Sequence, residues 1–173
     1  MNEIEFNVDN AKIGFRLHSV ELFNWGTFHN KIWKIEPNGS NSLLTGDVGS
    51  GKSTLVDALT CLIVPHHKIT FNKAAGAESK ERTLASYIKG EYKNTKNDDS
   101  DSRGKAVSLR YNNASNSTFS VIIANFTNEG YHESISLAQV FWIENDKPQK
   151  LLIIREKSLL SIKENFSNIE DAK

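Results

Sequence analysis

The chain of 173 residues has one cysteine, Cys61. That excludes an internal disulfide framework and a cysteine-built zinc cluster, and it suits a reducing compartment. Charge of one sign is also missing: 21 basic and 21 acidic side chains cancel, so composition points neither to a histone-like polycation nor to a charged disordered tail. No apolar run approaches the ~18 residues that span a bilayer. The opening Met1-Asn2-Glu3-Ile4-Glu5 is acidic and lacks the basic and apolar regions of a secretory leader. There is no internal repeat and no clear linker. What remains is a chain with 38% apolar residues, ample for one packed domain or one lobe of a larger one. The expectation is a globular, cytoplasmic protein.

Periodicity divides the chain. Leu17, Val20, Leu22, Phe23, Trp25 and Phe28 form a strand-like run punctuated by Asn24 and Gly26, a bend or bulge. Lys31-Ile32-Trp33-Lys34-Ile35-Glu36 alternates as a half-buried strand does. Pro37-Asn38-Gly39-Ser40 reads as a turn, and Ser42-Leu43-Leu44-Thr45 as a short buried strand. From Lys52 the spacing of Leu55, Ala58, Leu59 and Leu62 is helical, with Pro65 as its stop and Cys61 on the apolar stripe. A second helix is expected over 78–89, with Gly90 as its cap. Residues 93–104 hold no apolar residue and read as an exposed loop. Strands are expected over 105–111, 118–127, 134–143 and 151–155. With no helices between them, they imply an antiparallel meander. A helical tail begins after Ser158, with Ser161 and Glu164 in capping-box spacing.

One motif carries chemistry. Gly46-Asp47-Val48-Gly49-Ser50-Gly51-Lys52-Ser53, followed by Thr54, fits G-x-x-x-x-G-K-[ST] in full. Glycines let successive backbone N–H groups face one concavity that binds phosphate oxygens. The helix that opens at Lys52 adds its unpaired amides and positive dipole end. Lys52 is placed to reach the β- and γ-phosphates, and Ser53 to give a hydroxyl to Mg²⁺. Lys52 and Ser53 are thus the candidate catalytic residues, and ATP with Mg²⁺ the expected ligand. A P-loop hydrolase also needs an Asp closing an apolar strand, and no apolar run here ends in Asp-Glu. Val140-Phe141-Trp142-Ile143-Glu144 comes nearest, with Glu in place of Asp before the turn Asn145-Asp146. Adjacent His66-His67 lacks a partner at metal spacing and reads as a polar loop.

A phosphate loop without its carboxylate strand resembles the SMC-like ATPases of the ABC class, whose second half lies beyond a long coiled coil. Leu22-Phe23-Asn24-Trp25-Gly26-Thr27-Phe28 is similar to that family's opening strand. Thr45-Gly46 through Thr54, then Leu55-Val56-Asp57-Ala58-Leu59, resembles its G-x-N-G-S-G-K-S-[TN]-[LI]-x-[DE]-A-[LI], departing at Asp47-Val48. Within the class the likeness is to the JetC family of Wadjet anti-plasmid systems, relatives of the MukB and MksB condensins. It rests on Leu62-Ile63-Val64-Pro65, on Glu81-Arg82-Thr83-Leu84-Ala85-Ser86-Tyr87-Ile88-Lys89-Gly90 and on Ser136-Leu137-Ala138-Gln139-Val140-Phe141-Trp142.

The resemblance implies a P-loop NTPase lobe of the α/β class, with a mixed sheet around the phosphate-loop helix and an antiparallel meander subdomain. Residues 1–173 would form one N-terminal head lobe. It divides into 1–65 (opening strands, phosphate loop and first helix), 66–104 (helix and mobile loop), 105–157 (antiparallel strands) and 158–173 (start of a helical tail). The resemblance implies ATP bound by Gly46 to Thr54, with Asn24 and Trp25 near the nucleotide, although a core role for Trp25 fits equally. Lys80 and Arg82 would face DNA or nucleotide, or form a solvated helix face. Gln139 is a weak match to the glutamine that senses Mg²⁺. Implied partners are the C-terminal half of the same head, a second head engaged through ATP, kleisin and accessory subunits, and DNA. No membrane is involved. The alternatives are a self-sufficient small P-loop kinase or NTPase, and a nucleotide-dependent scaffold that never hydrolyses.

Overall fold

The structure, a computed structural model, describes residues 13–65, 68–71, 82–95, 105–110 and 118–166. Its strands are β1 (Arg16–Phe23), β2 (Trp33–Ile35), β3 (Glu91–Thr95), β4 (Lys105–Ser108), β5 (Phe119–Asn128), β6 (Glu133–Glu144) and β7 (Lys147–Glu156). Its helices are α1 (Lys52–Ile63), α2 (Leu84–Lys89) and α3 (Ile162–Asn165). Five strands form one sheet in the order β2-β1-β5-β6-β7, and β3 pairs with β4 in a separate hairpin. Neighbours in both sheets run antiparallel. Of the four strands expected in one meander, the last three form it as β5-β6-β7, whereas the first, β4, leaves it to pair with β3.

Period-2 alternation sends the two faces of this sheet into two cores. One face carries Val20, Leu22, Ile122, Ala124, Phe141 and Ile143, and packs against Leu55, Ala58, Cys61 and Leu62 of α1 and Leu84, Tyr87 and Ile88 of α2. The opposite face carries Val121, Ile123 and Ala138 under Leu160 and Ile162. A polar group anchors this second cover. Buried Asn125 donates to Ser19 Oγ (2.9 Å) and Leu160 O (2.9 Å), and its Oδ1 accepts from Ser136 Oγ (2.5 Å) and Leu160 N (3.1 Å).

Four further expectations are corrected. Residues 42–45 are not a buried strand: they have no regular secondary structure, take no strand pairing among the described residues, and leave Leu43 87% exposed. A strand before a phosphate loop needs neighbours on its edges, and among the described residues no strand pairs with this segment. The second helix begins at Leu84, because Thr83 is an extended N-cap whose hydroxyl accepts from Ser86 N while Ser86 Oγ accepts from Thr83 N. Residues 78–81 lie outside the described residues. The loop expected from Lys93 begins later, since β3 runs through Thr95. Backbone pairing with β4 supplies what its polar side chains do not advertise. At α3, Ser161 makes no side-chain cap. The Glu21 carboxylate reaches across from β1 to accept from Ile162 N (2.7 Å), and Asn165 Oδ1 accepts from Ser161 N (2.9 Å). No described helix is long and apolar enough to cross a membrane.

Cys61 lies in the α1 core, 4% exposed, with its thiol pushed up to about 12, first by burial and then by the Asp57 carboxylate. Only the thiolate reacts with disulfide reagents. The folded chain is therefore expected to react with Ellman's reagent at pH 8 at least about 100-fold more slowly than a free thiol, with full rate restored in denaturant. Absorbance stopped-flow checks this. Fast labelling of the folded chain would mean that α1 opens readily.

Candidate nucleotide-binding site

The phosphate loop follows the irregular segment that ends at Thr45 and enters α1 at Lys52. Gly51 is the N-cap of α1 with φ +92°, a left-handed geometry that side chains resist. Gly46 has φ +148°, and a Cβ there would lie 2.8 Å from Ser50 Oγ. The turn closes through Ser50 N donating to Asp47 O (3.2 Å), and the helix starts with Leu55 N donating to Gly51 O (3.0 Å).

Lys52 folds back over the loop that precedes it. Its Nζ donates to Gly46 O (2.5 Å), Asp47 O (2.7 Å) and Ser50 Oγ (3.3 Å). The ammonium is therefore held at the loop by carbonyls on its rim. Among the described residues no side chain caps the N-terminus of α1, and its first turn carries no acidic residue. The positive end of the helix is thus left for an anion. These features fit a triphosphate: amides and helix end to bind the oxygens, Lys52 to balance their charge, and Ser53 in the first helical turn as the hydroxyl for Mg²⁺. Asp47, Val48, Gly49 and Ser50 are exposed on the loop, Val48 fully so.

Beneath the loop the neighbours are buried and aromatic. Trp25 is fully buried, and its ring packs on Tyr87 (centroids 4.8 Å), Phe141 (5.5 Å) and Phe71 (6.5 Å). Its Nε1 donates to Thr54 O (3.0 Å). Trp25 therefore reaches the loop from below, through the backbone of α1. Thr54 is buried too, with its methyl against the backbone of Gly26. Asn24, at φ +53°, accepts from Asn30 N on Oδ1 (2.8 Å) and from the Ser120 hydroxyl on its carbonyl. It braces the bend after β1.

Asp57 accepts a hydrogen bond from the Tyr87 hydroxyl, tying α1 to α2. Burial, then the Asp57 partner, push that hydroxyl above the usual tyrosine range. Arg82 lies over the Tyr87 ring, 5.7 Å from its centroid, just before α2. Its side chain is half-buried there, ahead of the helix. Lys80 and His66-His67 lie outside the described residues. Gln139 is buried in mid-β6 opposite Ile122 and Leu152, and Glu144 ends β6 in solvent. Among the described residues no cluster of His, Cys, Asp or Glu is arranged for a metal. The sequence gives Phe28 a place in the opening strand but no contact with the loop, and it gives Arg110 no role. Phe28 presses on Gly51, and Arg110 binds the carbonyls around it. Neither contact is local: Arg110 stands 58 positions after Lys52, and no motif joins it or the Phe28 ring to the loop.

Comparison with known proteins supports the loop. No curated protein matches the chain. A solved structure from work on ATP-driven dimerization and DNA-stimulated activation of SMC ATPases superposes with a TM-score of 0.45 at 16% identity, covering 83% of this chain and 72% of that one. That likeness is too loose to bear on function. Residues 17–78 match the family described as the P-loop containing region of AAA domain. The match and the loop geometry together make the fold that of a P-loop NTPase of the α/β class.

Proposed function

We propose that this chain is the N-terminal lobe of an SMC-like ATPase head of the JetC type. It binds MgATP through Gly46 to Thr54, with Lys52 on the phosphates and Ser53 on the metal, and a second lobe brings the carboxylate machinery. The whole of residues 1–173 acts as one lobe. Engagement of two such heads across ATP, with kleisin and accessory subunits and with DNA, turns nucleotide binding and hydrolysis into a switch of subunit contact. The work is plasmid defence or chromosome organisation in the cytoplasm.

One observation carries this reading. The phosphate loop is flanked on both sides in sequence by apolar side chains that nothing described covers: Leu43 and Leu44 on the segment before the loop, and Val56 and Ile63 on the outward side of α1. A self-contained P-loop enzyme buries both under a parallel sheet. The antiparallel sheet here covers only the opposite side of α1. That favours the split head over the small-kinase reading.

The test is ATP binding and turnover on the same chain, with Lys52→Ala as control. Charge-assisted hydrogen bonds contribute about 1.5–3 kcal/mol each, so the variant is expected to bind MgATP on the order of 100-fold more weakly by calorimetry, while neither chain turns ATP over. Lys52-dependent hydrolysis at roughly 1 s⁻¹ or faster, an ordinary enzyme rate, would place the hydrolytic machinery inside this chain and end the split-head reading.

A further inference from the structure

Arg110 is the most heavily bonded side chain near the loop. Its guanidinium donates to four backbone carbonyls on two segments distant in sequence: Nε to Ile88 O (3.0 Å), Nη2 to Tyr87 O (2.7 Å) and Gly26 O (2.8 Å), and Nη1 to Phe28 O (3.1 Å). Two of these acceptors end α2, where the helix dipole and unpaired carbonyls favour a cation. The other two belong to the bend between β1 and β2. The guanidinium lies flat on Gly90, where any Cβ would come within 2.9 Å of its atoms. Backbone bonds from Leu109 N to Gly90 O (3.1 Å) and from Arg110 N to Lys89 O (3.2 Å) fix the arginine to the end of α2.

The bend that Arg110 holds is the one that touches the phosphate loop. The Phe28 ring is so close to Gly51 that a Cβ there would meet Cζ at 2.8 Å, and a Cβ on Gly26 would meet the Thr54 methyl at 2.7 Å. Gly26 N also donates to Tyr87 O (2.9 Å), the carbonyl that Arg110 shares. Two contacts thus run from one guanidinium to the N-cap and first turn of α1. We propose that Arg110 is a positioning residue for the phosphate loop, clamping the Gly26–Phe28 bend to the end of α2 and so holding the Phe28 ring against Gly51. Burial holds the guanidinium down to about 10, so it stays charged at neutral pH. Lysine cannot replace it, because one ammonium has three donors and no planar fork.

The clamp is stated for the loop geometry, and its effect on nucleotide rests on the site proposed above. Hydrogen exchange of the amides over 50–55 separates the two. Arg110→Met and Phe28→Ala are each expected to raise exchange there about tenfold and to weaken MgATP binding about tenfold, while exchange in β5 and β6 stays protected. The double variant should match the larger single effect, because both act through one contact, and Arg110→Lys should fall between. Additive effects, or a folded Arg110→Met with wild-type exchange over 50–55, would overturn the clamp. If the wild type binds no ATP, the nucleotide reading fails while the exchange data still decide the clamp. Should Arg110→Met fail to fold, Arg110→Lys paired with Phe28→Ala makes the same comparison.

Discussion

Trp25→Ala is expected to lower the stability of the chain by about 4 kcal/mol, since a buried Trp→Ala substitution costs about 3–5 kcal/mol. Trp25 is fully buried where the sheet, α1 and α2 meet, with three aromatic rings around it. Truncation leaves a cavity that Tyr87 cannot collapse into, because its hydroxyl is tied to Asp57. A domain of this size has only 5–15 kcal/mol in hand, so a large part of it goes with one side chain. Trp25→Phe keeps a ring and loses the indole donor to Thr54 O, at about 1 kcal/mol for the hydrogen bond. Denaturant unfolding followed by circular dichroism measures both. Two equal losses would show that the hydrogen bond, not the packing, carries the effect.

Asn125→Ala should cost about 3 kcal/mol, even though it removes only an amide. Asn125 satisfies both the N–H and the carbonyl of Leu160 and a lone pair of Ser19 in a buried site. Each buried group left without a partner costs about 1–3 kcal/mol. Ser136 Oγ still accepts from Leu160 N (3.1 Å), and its one hydrogen, freed from Asn125, turns to Ser158 O (3.1 Å), which keeps the segment from leaving altogether. Exchange over 158–166 should rise before exchange in the sheet does. Asn125→Asp gives the sign of the effect. A carboxylate facing the Leu160 carbonyl in a buried site has its pKa raised in the folded state. Its protonated form is the compatible one, so that variant should gain stability relative to wild type as pH falls from 7 and lose it as pH rises. A pH-independent difference between Asn125→Asp and wild type would mean that the site is wetter than its burial implies.

The loop and its helix were legible in the sequence because their information is local. Glycines at 46, 49 and 51, the lysine at 52 and the apolar steps of Leu55, Ala58 and Leu62 specify turn and helix within a dozen residues. The meander was legible for a similar reason, since alternation and turn residues fix strands joined by short loops. The segment at 42–45 misled, because an apolar run before a glycine loop reads as buried whether or not its neighbours belong to the described fold. At α3 the capping-box spacing of Ser161 and Glu164 misled as well, since the acceptor came from Glu21 on β1. β3 was hidden in polar residues because its strand character comes from pairing with β4. The sequence by itself determined a phosphate-binding loop opening a helix, and an antiparallel meander to lay beneath it. Only the tertiary structure decided what holds that loop. It put Trp25 in the core below it, joined Tyr87 to Asp57, and brought Arg110 to the carbonyls of Gly26 and Phe28. These bonds link residues 29 to 84 positions apart. Their partners are chosen by sheet register and helix packing, quantities that no local pattern contains.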